Sequence, residues 1–478
     1  MHALISTPES VYVWSYTTQH TDPVVLTFPV RSQEASLASL VSPNAGSSEP
    51  GLILLKPLTG QIAYWDSAGS AVAEGLVQRA GVQSTLPLAQ GEIVTSLCNA
   101  EPAAFVASTS TGALWLISVR DAEGRPNLSF NTMMISKGAW LGGLSSLLRG
   151  GQGRSNVVSV KAGGRESRSE RRDVLVATGR GEIEKWELAR GGSYRLVGQG
   201  DLSNLIHKKL RELLRDDCTF SVVDVASVPS VKSSDKLVFL VSYVSQHAPG
   251  YALLLGLVDN QPSQILSGTL LPASPTDYST FRPGSAFQPQ IYIPYPGKTI
   301  FVVYSRGISI VSLPVDLENW AYCDTLTFRD DHAQLRIIGC GQEDLIMDPT
   351  LHRKHRSAGV ILIIQNAGVV RCETFDNEVG DIQISTSGLE WIQSKIEQAV
   401  FYGSSGDNPL DFKPREEWNW KIHEVEKVAI KISAEILMSG KWFPNVVNSS
   451  IKVYSIFASA RKFPNFKTPF TSCSSTIS

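Results

Sequence analysis

One pattern recurs seven times along the 478-residue chain and restricts the fold more than any other feature. It is an apolar run, a turn, and a second apolar run that often carries an aromatic. The copies are ALISTPESVYVWSY (3–16), LILLKPLTGQIAYW (52–65), AFVASTSTGALWLI (104–117) and DVLVATGRGEIEKW (173–186). They continue as LVFLVSYVSQHAPGYALLLGLV (237–258), IFVVYSRGISIVSL (300–313) and GVILIIQNAGVVRCE (359–373). Runs of about five residues rich in Val, Ile, Leu and aromatics, joined by a tight turn, are β-hairpins. Gly60, Gly112, Gly181, Gly307 and Gly368 stand at five of the turns, where glycine adopts φ > 0 at little cost.

The copies are spaced by roughly 50–70 residues, more than the ~40–45 of a minimal four-stranded blade, so each unit carries further strands and inserted loops. Seven near-equivalent hairpins predict an all-β fold, a seven-bladed β-propeller over residues 1–388. A two-sheet sandwich is the competing all-β architecture, but it uses far fewer residues and leaves the repeat unexplained. Trp14, Trp65, Trp115 and Trp186 recur near the second run of successive hairpins, which assigns them to packing between blades rather than to binding.

Helical periods interrupt this pattern. DLSNLIHKKLRELLRDD (201–217) places Leu202, Leu205, Ile206, Leu210, Leu213 and Leu214 on one face, with Asp201 as N-cap. Its polar face, with Lys208, Lys209, Arg211, Glu212 and Arg215, suits a membrane-surface helix or one packed on the side of a blade, and the packed reading is favoured. LEWIQSKIEQAVFYG (389–403) and EEWNWKIHEVEKVAIKISAEILMSG (416–440) define a short helical segment, 389–450, after the propeller. Residues 451–478 lose the period and read as an irregular tail.

Chemistry is sparse. Lys and Arg total 43 against 45 Asp and Glu, so no global field draws in nucleic acid or an anionic surface. The six cysteines contain no CxxC pair and read as reduced and mostly packed. The N-terminus does not match a secretory signal, and no apolar stretch approaches the roughly 18 residues of a membrane span. There is no phosphate loop, zinc helix or nucleophile elbow. GCGQED (339–344) and the pair Asp330 and Asp331 read as turns, and LHRKHR (351–356), with His352 and His355 among three cations, as a solvated loop. No enzyme, cofactor, metal site, small-molecule substrate or direct nucleic-acid contact is expected.

KGAWLGGLSSLLRGG (137–151) is the remaining feature. Wound as a helix over 136–149, Trp140, Leu141, Leu144, Leu147 and Leu148 form one apolar stripe opposite Ser136, Gly142, Gly143, Ser145 and Ser146. Each interior glycine costs about 1 kcal/mol relative to alanine, so the helix forms only where something apolar receives it. Weak charge with Ser and Gly on the polar face is the pattern of an amphipathic lipid-packing sensor; a core helix or a packed inter-strand loop is the plainer alternative. The Gly-, Ser- and Arg-rich tract that follows, 150–172, reads as a flexible basic insertion.

In order along residues 1–445, VYVWSY, GQIAYWDSAG, GEIEKWEL and GVILIIQNAGVV resemble the N-terminal propellers of the nucleoporin 133/155 family, as does IEQAVFYGSSGDNPLDF (396–412) at the junction with the helices. In that family a curvature-sensing loop occupies the place of KGAWLGGLSSLL, between the third and fourth hairpins. The resemblance implies a structural component of the nuclear pore's Y-shaped scaffold at the nuclear envelope, supporting mRNA export and protein transport. It implies other scaffold nucleoporins and the nuclear membrane surface as partners, with 389–450 as the start of an α-solenoid. An interaction platform in another intracellular assembly, docking a partner with the same stripe, is the alternative. The chain starts inside the first hairpin, which leaves closure of the ring as the open structural question.

Overall fold

The computed structural model describes residues 1–17, 23–30, 32–44, 46–72, 81–133, 157–163, 170–229, 236–246, 248–258, 263–272, 288–314, 320, 323–329, 334–347, 354–356, 358–374, 388–401, 410–411, 420–438 and 451–456. It is a seven-bladed β-propeller. Strands within a blade are lettered a to d from the inside outward.

All seven expected hairpins are present as strands b and c. Blade 1 has His2–Ser6, Ser10–Ser15 and Val25–Pro29 in positions b, c and d. Blade 2 consists of Leu37–Val41, Gly51–Leu55, Gln61–Trp65 and Val82–Thr85. Blade 3 consists of Val94–Ala100, Ala104–Thr109, Leu114–Arg120 and Pro126–Thr132. Blade 4 is built from Val157–Ala162, Arg171–Thr178, Glu182–Ala189 and Ser193–Asp201. Blade 5 contains Cys218–Ser227, Lys236–Ser245, Pro249–Leu257 and Gln264–Leu270. Blade 6 contains Gln290–Tyr292, Thr299–Tyr304, Gly307–Ser312 and Cys323–Phe328, with Leu410–Asp411 paired outside them. Blade 7 orders Ile337–Glu343, Gly359–Ile364, Gly368–Thr374 and Ile451–Ile456.

The middle strands are buried on both faces, so they read as continuous apolar runs rather than as alternation. In Thr299–Tyr304, Phe301 and Val303 pack toward blade 7 while Ile300, Val302 and Tyr304 pack toward blade 5. Period two thus assigns successive residues to opposite seams. Seven apolar clusters result, one at each blade-to-blade seam. Trp14, Trp65, Trp115 and Trp186 each belong to one of them, as expected.

The seventh cluster settles ring closure. Ala3, Ile5, Trp14 and Tyr16 of blade 1 pack on Ile361 and Ile363 of blade 7. Above this contact the Tyr16 hydroxyl donates to Glu343 Oε1 at 2.6 Å, and Arg371 Nε donates to the other carboxylate oxygen at 2.7 Å. First and last blades therefore meet through side chains, across 327 positions of sequence.

Four helices lie among the described residues: α1 (Ala68–Val72), α2 (Ser203–Leu214), α3 (Gly388–Phe401) and α4 (Ile422–Met438). None is long and apolar enough to cross a membrane. α3 and α4 pack through Ile392, Val428 and Ile432. α3 also docks on blade 6, where buried Lys395 pairs with buried Asp324 and contacts Gln398 Oε1 at 3.3 Å.

Several expectations are corrected. The tract 150–172 is not wholly an insertion, because Val157, Val158 and Val160 build the innermost strand of blade 4 and Arg171 opens the next. Residues 339–343 are strand, not turn: Gly339, Cys340 and Gly341 pair with Ile363, Leu362 and Ile361. Lys354–Arg356 forms a two-stranded ladder with Ile346–Met347 instead of a loop. Residues 451–456 pair with Gly368–Thr374, so the helical segment lies between two strands of blade 7 rather than after the ring, and the tail begins as strand. Gly307 is absent from the positive-φ glycines; a Cβ there would meet Leu326 O at 2.6 Å, so close backbone approach is what demands glycine. Asp330 and Asp331 lie outside the described residues.

Candidate functional site

Antiparallel pairing sorts every connection onto one of two faces. Turns a–b and c–d share one face; turns b–c and the crossings from strand d to the next strand a share the other. Residues 134–156 are the crossing from blade 3 to blade 4. The five stripe residues Trp140, Leu141, Leu144, Leu147 and Leu148 fall within it, outside the described residues.

Both ends of this crossing are described. Met133 is buried, and its N–H donates to Leu114 O at 2.8 Å. The Tyr194 hydroxyl donates to Thr132 O at 2.9 Å, tying the departing strand to the outer strand of blade 4. The returning end enters at Val157, opposite Thr178. Met133 and Val157 pack in the same seam cluster, around Val174, Val176 and Trp186. Departure and return are thus fixed at one seam, and the crossing is a closed excursion from it.

The next crossing on this face, from blade 4 to blade 5, is α2. It packs on the blade side, as favoured from sequence. Leu202, Ile206 and Leu210 are fully buried at i, i+4 and i+8, over Leu175 and Ile183 of blade 4 and Val222 and Phe239 of blade 5. Its start differs from expectation: Leu202 is the N-cap, and no side chain caps the helix. Asp201 Oδ1 accepts from the Ser203 N–H at 2.9 Å instead, and the Ser203 hydroxyl and N–H hold the Asp201 carboxyl below its ordinary pKa. The Leu202 N–H reaches Gly181 O at 3.0 Å, seating the helix on the b–c turn of blade 4. At the other end Arg215 takes a left-handed φ of 56°, its N–H donating to Arg211 O.

The outward side of α2 borders an open polar groove of about 690 Å³. Lys209 contacts Glu212 at 3.1 Å, and Asp217 lies 3.3 Å from His207 and 3.6 Å from Arg211. Lys208 and Arg215 have no carboxylate partner among the described residues.

The inner strands hold polar groups, but these are engaged with one another. Lys161 Nζ pairs with Asp224 and reaches Ile291 O; Asp224 also accepts from Ser159 Oγ at 2.6 Å and from the Ile291 N–H at 2.7 Å. This network stitches blades 4, 5 and 6. No group of three metal-ligating side chains occurs among the described residues. Burial pushes the Cys98 thiol up to about 11 and those of Cys323, Cys340 and Cys372 up to about 12, so these thiols stay protonated near neutrality.

Comparison with known proteins gives a consistent neighbourhood. The sequence model of the nucleoporin N-terminal family, described as Nup133 N terminal like, matches residues 2–370. Nucleoporin NUP133 of Chaetomium thermophilum is 29% identical over 94% of this chain and 37% of its own length. Nucleoporin NUP133 of Saccharomyces cerevisiae is 24% identical over 94% of this chain and 40% of its own. The chain thus spans about two fifths of the length of these relatives. Among solved structures, the Nup133 β-propeller domain of Vanderwaltozyma polyspora superposes with a TM-score of 0.58 at 17% identity, covering 77% of this chain and 90% of that one.

Proposed function

The chain belongs to the nucleoporin family of Nup133-like N-terminal domains, and from that premise we propose that it is the propeller of a nuclear pore scaffold protein that touches curved nuclear-envelope membrane through residues 136–149. Fold and family are those of structural scaffold proteins, not enzymes. Its place is the nuclear pore complex at the nuclear envelope, its partners are other scaffold nucleoporins, and its contribution to mRNA export and protein import is architectural.

The observation that carries the membrane reading is the anchoring of the blade 3–4 crossing. Met133 and Val157 are held in one buried cluster, so the intervening segment works against a rigid base. A segment tethered at both ends on one face presents Trp140, Leu141, Leu144, Leu147 and Leu148 to a surface without needing to fold beforehand. Its helix forms when lipid receives the stripe, and packing defects under positive curvature provide the entry points. Lys137 and Arg149 flank the stripe, so neutral lipid suffices.

The test is flotation of the full chain with small and large neutral vesicles. Small vesicles should carry the protein and large ones should not, and Leu144→Asp should abolish binding to the small ones. Equal binding to the two sizes, or binding indifferent to Leu144→Asp, refutes the proposal.

A further inference from the structure

We infer that the seam between blades 6 and 7 carries a phosphate-binding site, at which Arg306 and Arg336 receive a phosphorylated side chain of a peptide segment. The inference is independent of the membrane reading above.

Main-chain pairing builds the site from separate stretches of sequence. Arg306 stands on the b–c turn of blade 6, Arg329 follows strand d of that blade, and Arg336 precedes strand a of blade 7. The Phe328 N–H donates to Arg306 O at 3.3 Å, and the Ile337 N–H donates to Ser305 O at 2.8 Å. Arg329 and Arg336 adjoin those two donors, so the fold gathers three arginines at one corner of the ring. Gln365, on the b–c turn of blade 7, is held beside them by its N–H, which donates to Arg336 O at 2.8 Å.

Two of these arginines are unusual for this molecule. Arg120, Arg125, Arg195 and Arg371 each hold a carboxylate. Arg306 Nε is buried without an acceptor, and exposed Arg336 has no side-chain hydrogen bond or ion pair among the described residues. A buried donor left unpaired calls for an explanation, and a bound anion supplies one. Asp324 and Glu343 stand toward the other face, at the far ends of strand d of blade 6 and strand a of blade 7. Asp411, opposite Thr327, is the carboxylate that the outermost strand brings to this side. Asp330 and Asp331, in the same crossing, lie outside the described residues.

The donors select the ligand. Two guanidinium forks on separate elements offer more N–H groups than one carboxylate can accept, whereas a phosphate dianion accepts from both through its three terminal oxygens. Depth selects the carrier. Arg306 Nε lies below the surface, where a phosphate on the end of a peptide side chain reaches it and a layer of headgroups does not.

Calorimetric titration of the full chain in phosphate-free buffer tests this, with a blocked Gly-Gly-phosphoserine-Gly-Gly peptide as probe. Binding should saturate, inorganic phosphate should compete, and the unphosphorylated peptide should not bind. Arg306→Gln and Arg336→Gln should each lower the affinity by about tenfold, and Arg306→Lys should not restore it, because an ammonium lacks the fork. Arg190→Gln on blade 4 should leave it unchanged. Melting curves matched to the parent qualify each variant, and exposed Arg336 keeps the test open if Arg306→Gln does not fold. No saturable binding overturns the proposal, as does an equal loss with Arg190→Gln, which assigns binding to diffuse charge. Phosphate binding without peptide binding assigns an ion site and overturns it, and binding to phosphatidic acid vesicles without peptide binding does the same in favour of lipid. Peptide binding that appears only after Asp330→Asn with Asp331→Asn overturns it by showing that the chain's own carboxylates fill the site.

Discussion

Replacing Tyr16 with Phe removes one oxygen from the seam that closes the ring. The ring of Tyr16 stays packed against Ile361 and Ile363, so the change in volume is small. What is lost is a 2.6 Å hydrogen bond from the hydroxyl to a Glu343 carboxylate that is only 4% exposed. A bond to a charged acceptor contributes about 1.5–3 kcal/mol, and the seam should weaken by about 2 kcal/mol. Glu343 keeps Arg371, which limits the loss. Among the described residues this seam buries six apolar side chains where the other six bury nine to fifteen, so it is where the ring should open first. A 2 kcal/mol loss raises the local opening constant by about 30-fold. Hydrogen exchange read by mass spectrometry should show that acceleration in peptides covering His2–Ser15 and Gly359–Thr374, with blades 4 and 5 unchanged. Equal acceleration in every blade, or none at blade 1, would refute the idea that this contact closes the ring.

Three further outcomes follow from described contacts. Asp66 accepts from Arg120 Nε at 2.9 Å, Tyr64 at 2.5 Å and Asn44 at 3.2 Å; burial raises its pKa, but these donors outweigh burial and leave it below the ordinary value. A depressed carboxyl stabilises the fold above its unfolded pKa of ~3.9 and loses that contribution as pH falls through the folded value. Urea midpoints should thus place Asp66→Asn about 1–2 kcal/mol below the parent at pH 7, with the gap closing below about pH 4. Lys395→Met strands the Asp324 charge and should destabilise the α3 contact by about 3–5 kcal/mol, read as lost exchange protection over 388–401, while adding Asp324→Leu should restore most of it. Gly307→Ala should cost more than Gly91→Ala in thermal unfolding. At Gly91 the φ of +77° strains alanine by about 1–2 kcal/mol with open space around the new Cβ, whereas at Gly307 a strand must move.

What was legible in the sequence follows from where side chains point. Strands b and c are buried on both faces and announce themselves as apolar runs; Gly359–Ile364 is buried throughout. Outer strands such as Pro126–Thr132 are exposed at every other residue and carry polar groups, so they pass for loops. The strand Ile337–Glu343 was hidden by Gly339 and Gly341, which interrupt the apolar run and read as a turn. The amphipathic period of residues 136–149 is local and can be read from the sequence alone. Its setting cannot, because Met133 and Val157 meet only through a seam. Contacts such as Tyr16 with Glu343, or Lys395 with Asp324, join residues with no local signature, and only the closed ring brings them together.

The docking of α3 has a mechanical consequence. Its helix is pinned to blade 6 by the buried Lys395–Asp324 pair, while the crossing proposed to meet lipid leaves the ring between blades 3 and 4. These two attachments stand roughly a third of the circumference apart in a seven-fold ring. A pull applied through the helices while the crossing is held at the bilayer would therefore act as a couple, tilting the disc rather than lifting it straight. In that geometry Lys395 and Asp324 serve as a shear pin. Their rupture would loosen α3 from blade 6, while Leu410–Asp411 on blade 6 and Ile451–Ile456 in blade 7 keep the helical segment tied to the ring at both ends.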